Sequence, residues 1–120
     1  MTRVLGNYGE DRVAAYLQEQ GFSIVVRNFS IRSGEIDIIA TKDDLLVFVE
    51  VKARTMPTDN LSEIVTYSKQ RKIVNTAKYF LSTHSHIYST YDYICRFDIA
   101  LINGDCAPIN YLPGAFTSGE

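Results

Sequence analysis

The spacing of apolar positions changes period several times along the chain, and each change marks a predicted element. From Asn7 to Gln20, Val13, Ala14, Tyr16 and Leu17 recur at helical spacing among polar residues, and Gly21 offers a left-handed stop, so an amphipathic helix is expected there. Phe22–Phe29 is rich in β-branched and aromatic residues and reads as a strand, ended by a turn at Arg32-Ser33-Gly34. Glu35–Thr41 and Leu45–Arg54 read as the next two strands, and Lys42-Asp43-Asp44 leaves room only for a hairpin turn between them. Pro57–Asn60 breaks the pattern. Asn60 with Glu63 three residues on resembles a helix cap, opening a helix with a break near Ser68 that runs to about Thr83. Ile64, Val65, Ile73, Val74, Ala77, Phe80 and Leu81 form its apolar stripe. Tyr93–Ile102 is a further strand, Asn103-Gly104-Asp105 a turn and Cys106–Leu112 a short last strand, with residues 113–120 expected as a flexible tail.

The resulting order, α-β-β-β-α-β-β, predicts an α/β fold: a mixed sheet of about five strands flanked by helices in a three-layer arrangement, forming one domain over residues 1–112. The 120 residues suffice for one core, and 46% hydrophobic with 22% charged residues is a soluble globular balance. No apolar run is long enough to cross a bilayer and the first residues lack a secretory pattern, so the cytoplasm is the expected location. Cys95 and Cys106 have neither the number for a disulfide framework nor a spacing for zinc, and read as buried thiols. A net charge of −2 argues against non-specific coating of nucleic acid, but from Glu50 to Lys78 six basic side chains face three acidic ones, which makes a local basic face.

Charge matters most where it interrupts apolar strands. Gly34-Glu35-Ile36-Asp37 and Val49-Glu50-Val51-Lys52 put three carboxylates and a lysine into otherwise apolar strands, where ionisable groups are rare unless paired, ligating or reactive. Opposite residues of an antiparallel hairpin have position numbers of constant sum, and a turn centred on Asp43-Asp44 sets Asp37 opposite Glu50 and Glu35 opposite Lys52, on one face. The same register puts Ile36 against Val51, Ile38 against Val49 and Ala40 against Val47 on the other face, an apolar set that a one-residue slip would expose. Two carboxylates so close must share a proton or a cation. A hard divalent ion, Mg²⁺ or Mn²⁺, suits carboxylate and water oxygens, polarises a phosphoryl oxygen and acidifies bound water, while a neighbouring lysine orients the water or stabilises developing charge. Phosphodiester hydrolysis fits this set. The competing reading is a cross-strand salt-bridge cluster of little energetic weight, and for Glu35 an ion pair with Lys52 stands beside a supporting role. Arg54, Lys69, Arg71 and Lys72 are candidates to contact phosphates, or else form a solvated helix face. Arg96 and Asp98 read as a local salt bridge, His84 and His86 as surface residues, and Tyr88, Tyr91 and Tyr93 as packing or an interface.

Asp37 followed by Glu50-Val51-Lys52 on the next strand resembles the D…(D/E)-x-K signature of the PD-(D/E)XK nuclease superfamily. Gly9-Glu10, Arg27-Asn28, the runs Gly34–Ala40 and Val47–Arg54, Lys69 and Arg96-Phe97-Asp98 together resemble, in order, the YraN-type family of uncharacterised bacterial proteins, akin to archaeal Holliday junction resolvases. The resemblance covers residues 9–102 and implies a restriction-endonuclease-like core. It also implies Asp37, Glu50 and Glu10 as metal ligands, Lys52 as the catalytic lysine and Gln70 as a supporting residue on the second helix. The function it implies is Mg²⁺- or Mn²⁺-dependent cleavage of DNA, branched or structured DNA included. A non-catalytic nucleic-acid-binding module of the same fold, or a protein-interaction subunit, are the alternatives, and a homodimer, as resolvases form, stays open.

Overall fold

Helix α1 spans Thr2–Glu19 and ends where Gly21 adopts φ 96°, with the Phe22 N–H returning to the Leu17 carbonyl at 2.9 Å. Strands β1 (Ser23–Ile31), β2 (Gly34–Lys42) and β3 (Leu45–Arg54) follow as a meander. Helix α2 (Tyr67–Thr83) then crosses over to β4 (Ile94–Asn103), which pairs with β5 (Ile109–Phe116). The computed structural model describes residues 2–54, 64–103 and 108–119. The expected cap at Asn60 and Glu63, the Gly104-Asp105 turn, Cys106 and the side chain of Arg54 lie outside the described residues.

The sheet order is β1-β2-β3-β4-β5. Only β3 and β4 run parallel, because α2 carries the chain between them; the other neighbours are antiparallel. Each face has its own core. Val13, Ala14 and Leu17 of α1 pack on Ile38, Ala40, Val47, Val49, Ala100 and Ile102. On the opposite face Ile73, Val74, Ala77 and Phe80 of α2 pack on Ile39, Phe48, Phe97, Ile99 and Leu101. The fold is therefore α/β with a helix on either side of a five-stranded mixed sheet, as the pattern of elements predicts.

Boundaries differ from expectation at several points, and α1 begins at Thr2 rather than Asn7. The break before α2 falls at Thr66 rather than Ser68: Thr66 has φ −64° and ψ 158° and its hydroxyl accepts from the Lys69 N–H. The tail is shorter than expected, since β5 continues through Pro113 and Gly114 to Phe116. Pro113 is tolerated because β5 is an edge strand, and Gly114, at φ 60°, gives its N–H to Asp98 at 2.8 Å. No helix of the described residues is long and apolar enough to cross a membrane.

Candidate functional site

The hairpin register is the one the spacing predicts from Lys42↔Leu45 to Ile38↔Val49, and there the ladder ends. Asp37 causes the ending: its Oδ2 accepts the Val51 N–H at 2.7 Å, so a side chain takes a bond that a strand neighbour would otherwise accept. On the other side of β2, Asn28 has φ 55°, and beyond it Phe29 and Ile36 join the α2 core, whereas Ile38 lies in the α1 core. The expected alternation therefore fails between Ile36 and Ile38. Ile36 does not oppose Val51, and Glu35 pairs across to Ser30 of β1 rather than to Lys52. This local rotation opens the hairpin end and turns Asp37 and Glu50 together beneath α2.

Both acids are buried, Asp37 at 9% and Glu50 at 6% exposure, which removes them from the class of weak surface salt bridges. Burial first, and then the neighbouring Glu50 carboxyl, pushes the Asp37 carboxyl up to about 9. The pair thus holds one proton at neutral pH. Lys69 Nζ lies 3.1 Å from Glu50 Oε2, yet off the angle of a directed hydrogen bond, so that oxygen has an ion-pair partner and an unfilled lone pair. Burial and the adjacent Lys69 ammonium pull Lys52 below the ordinary lysine range. Lys69 itself is raised: burial opposes its charge, but Lys52 and Glu50 outweigh that.

These groups open into a cleft of about 480 Å³. Gly34, Glu35, Asp37 and Glu50 form its sheet wall, and Thr66, Ser68, Lys69 and Lys72 its helix wall. Gly34 lets the walls approach: a β-carbon there would sit 3.0 Å from the Lys72 carbonyl oxygen and nearer still to Thr76 Oγ1. A second cleft of about 420 Å³, between α2 and the β4–β5 strands, is mainly apolar. Cys95 lines it, its thiol pushed up by burial.

The other expected site residues separate into two groups. Glu10 approaches from α1 but is turned to β1, 3.6 Å from Arg27, whose guanidinium also holds Asp11 at 2.8 Å. Burial raises the Glu10 carboxyl, while Asn28 and Arg27 offset part of the rise. Gln70 does not enter the cleft; its amide donates to the Val65 carbonyl at 3.0 Å and closes the turn before α2. Lys69, expected as a phosphate contact, belongs instead to the carboxylate pair, whereas Lys72 lines the cleft and Arg71 is exposed. Arg96 and Asp98 do form a salt bridge, bidentate at 2.8 and 2.9 Å, but a buried one: Asp98 is fully buried and also accepts from the Tyr111 hydroxyl and the Gly114 N–H. The signal for this was Arg-x-Asp on one strand face with a tyrosine on the next strand. Tyr88 packs on Phe80 and on Tyr93, while Tyr91 is exposed.

The donor set suits a small hard cation. Among the described residues no three or more His, Cys, Asp or Glu side chains are gathered closely enough to hold an ion. Two carboxylates are what Mg²⁺ typically takes from a protein, completing its shell with water and phosphate oxygens, and Glu50 Oε2 makes no directed hydrogen bond.

Comparison with known proteins gives a single answer. The model of uncharacterised protein family UPF0102 matches residues 9–102. A UPF0102 protein of Clostridium perfringens is 45% identical over 117 residues, 93% of each chain. One from Acinetobacter baylyi is 46% identical over 96 residues, 79% of this chain and 66% of the relative. One from Myxococcus xanthus is 36% identical over 120 residues, covering 98% and 92%.

Proposed function

The chain belongs to the uncharacterised protein family UPF0102, and we propose that it is a divalent-metal-dependent endonuclease that hydrolyses phosphodiester bonds of DNA, branched or structured DNA included. The observation that carries this reading is the buried Asp37–Glu50 pair at the wall of an open cleft, with one Glu50 oxygen that makes no directed hydrogen bond. A salt-bridge cluster kept for stability would not bury two carboxylates against each other. The residues also resemble the PD-(D/E)XK pattern in order and in their placement on a hairpin.

Asp37 and Glu50 are the residues that would hold Mg²⁺ or Mn²⁺, which when bound polarises a phosphoryl oxygen and acidifies water. Lys52 stands beside the pair, so it can orient an attacking water or stabilise charge on the phosphate. Lys72, with Ser68 and Thr66, forms the wall on which a phosphate backbone would lie. Glu10 is a supporting acid at the edge of the site.

The test is cleavage of fluorescent four-way junctions and linear duplexes with Mg²⁺ or Mn²⁺ by the wild type, Asp37→Asn and Lys52→Met. Cutting by the wild type alone supports the reading. Salt-sensitive binding with no cutting in either metal would replace it with a non-catalytic binding module. No binding at all would point to an interaction subunit.

A further inference from the structure

Lys69 is the least expected member of the site. It projects from the first turn of α2, just after the Thr66 cap, and its ammonium reaches the Glu50 oxygen at 3.1 Å while its side chain stays 44% exposed. Glu50 is buried on every other side, with 7% of its side chain exposed. The Lys69 approach therefore covers the lone pair through which Glu50 meets the cleft. Lys52 shares the electrostatic field of Lys69 and of the same carboxylates. Two acid groups can carry at most two negative charges, which the two lysines already balance. Even with its shared proton lost, that set would carry two surplus positive charges once a divalent ion entered a partly desolvated space, a cost that departure of a cation lowers. Lys52 is fixed on a central strand. Lys69, on a helix surface with water at its side, can turn outward without unpacking anything.

We infer that Lys69 is an internal competitor for the divalent ion: its ammonium holds the Glu50 oxygen that the ion would coordinate and moves out to the cleft wall when the ion binds. There it stands with Lys72 where a phosphate would lie, so ion binding and substrate binding reinforce each other. This rests on the reading of Asp37 and Glu50 as a cation site, and adds a role for a residue outside the D…ExK pattern.

The test titrates Mn²⁺ alone, followed by its paramagnetic resonance signal, into the wild type, Lys69→Met and Lys72→Met. Methionine keeps the apolar stem, and a cooperative melt checks that each variant is folded. Lys69→Met binds Mn²⁺ roughly threefold to fivefold more tightly than the wild type, the strength of a half-exposed ion pair. Lys72→Met removes the same charge from the same wall without touching Glu50 and leaves the affinity within about 1.5-fold. Unchanged or weaker binding by Lys69→Met, or an equal gain in Lys72→Met, overturns the inference while the cation site stands. Absence of Mn²⁺ binding by all three proteins overturns the cation site and the inference with it.

Discussion

Replacing Asp37 by asparagine should make the metal-free protein more stable, which is the opposite of what a structural acid does. The sign follows from the proton it shares with Glu50. An unfolded aspartate loses its proton near 3.8, whereas the folded carboxyl keeps it to about 9. Between those values the folded chain holds a proton that the unfolded chain has lost, so raising the pH favours unfolding by about 1.4 kcal/mol per pH unit. By pH 7 the penalty reaches about 4 kcal/mol relative to a neutral group of the same shape. Asparagine is that group: its carbonyl can accept the Val51 N–H now bonded to Asp37 Oδ2 at 2.7 Å, and its amide can donate to Glu50. Urea unfolding of both proteins in a chelator, from about pH 5 to about pH 8, measures the gap directly. The gap should be small at the acid end and widen steadily, with Asp37→Asn the more stable. A less stable Asp37→Asn, or a gap that ignores pH, would show that the lysines already neutralise an ionised pair and that Asp37 and Glu50 share no proton.

Three further outcomes follow from the packing. Asp98→Ala should destabilise by about 3 kcal/mol in the same urea assay, because it strands the Tyr111 hydroxyl and the Gly114 N–H and frees Arg96 in a buried cluster. Gly34→Ala should cost about 1–3 kcal/mol, since its β-carbon would meet the Lys72 carbonyl at 3.0 Å and push α2 off β2; a Tm equal to the wild type would refute that close approach. Thr66→Ala should cost about 1 kcal/mol through loss of the cap on α2, with circular dichroism showing the helix otherwise intact.

The element order was legible because α1, α2 and the strands each carry a clear period, and the hairpin register could be counted from the Asp43-Asp44 turn, where Asp43 takes φ 53°. That count failed past Ile38. A register rule assumes unbroken backbone pairing, but Asn28 turns left-handed and the Asp37 side chain intercepts the Val51 N–H. Asp37 and Glu50 meet all the same, beside a cleft instead of across a ladder. Lys69 could be read as basic but not as a partner of Glu50, because that contact depends on how α2 lies over the sheet. Likewise Pro113 and Gly114 read as a break, yet β5 is an edge strand and Asp98 supplies the bond that holds them. Local rules thus found the acids, and tertiary packing decided which cations answer them.

Calorimetric titration of Mn²⁺ into the wild type and Asp37→Asn decides whether Asp37 and Glu50 form a divalent cation site. One ion per chain bound by the wild type and lost in Asp37→Asn is the predicted result. Equal binding by both proteins, or no heat of binding at millimolar Mn²⁺, would contradict it.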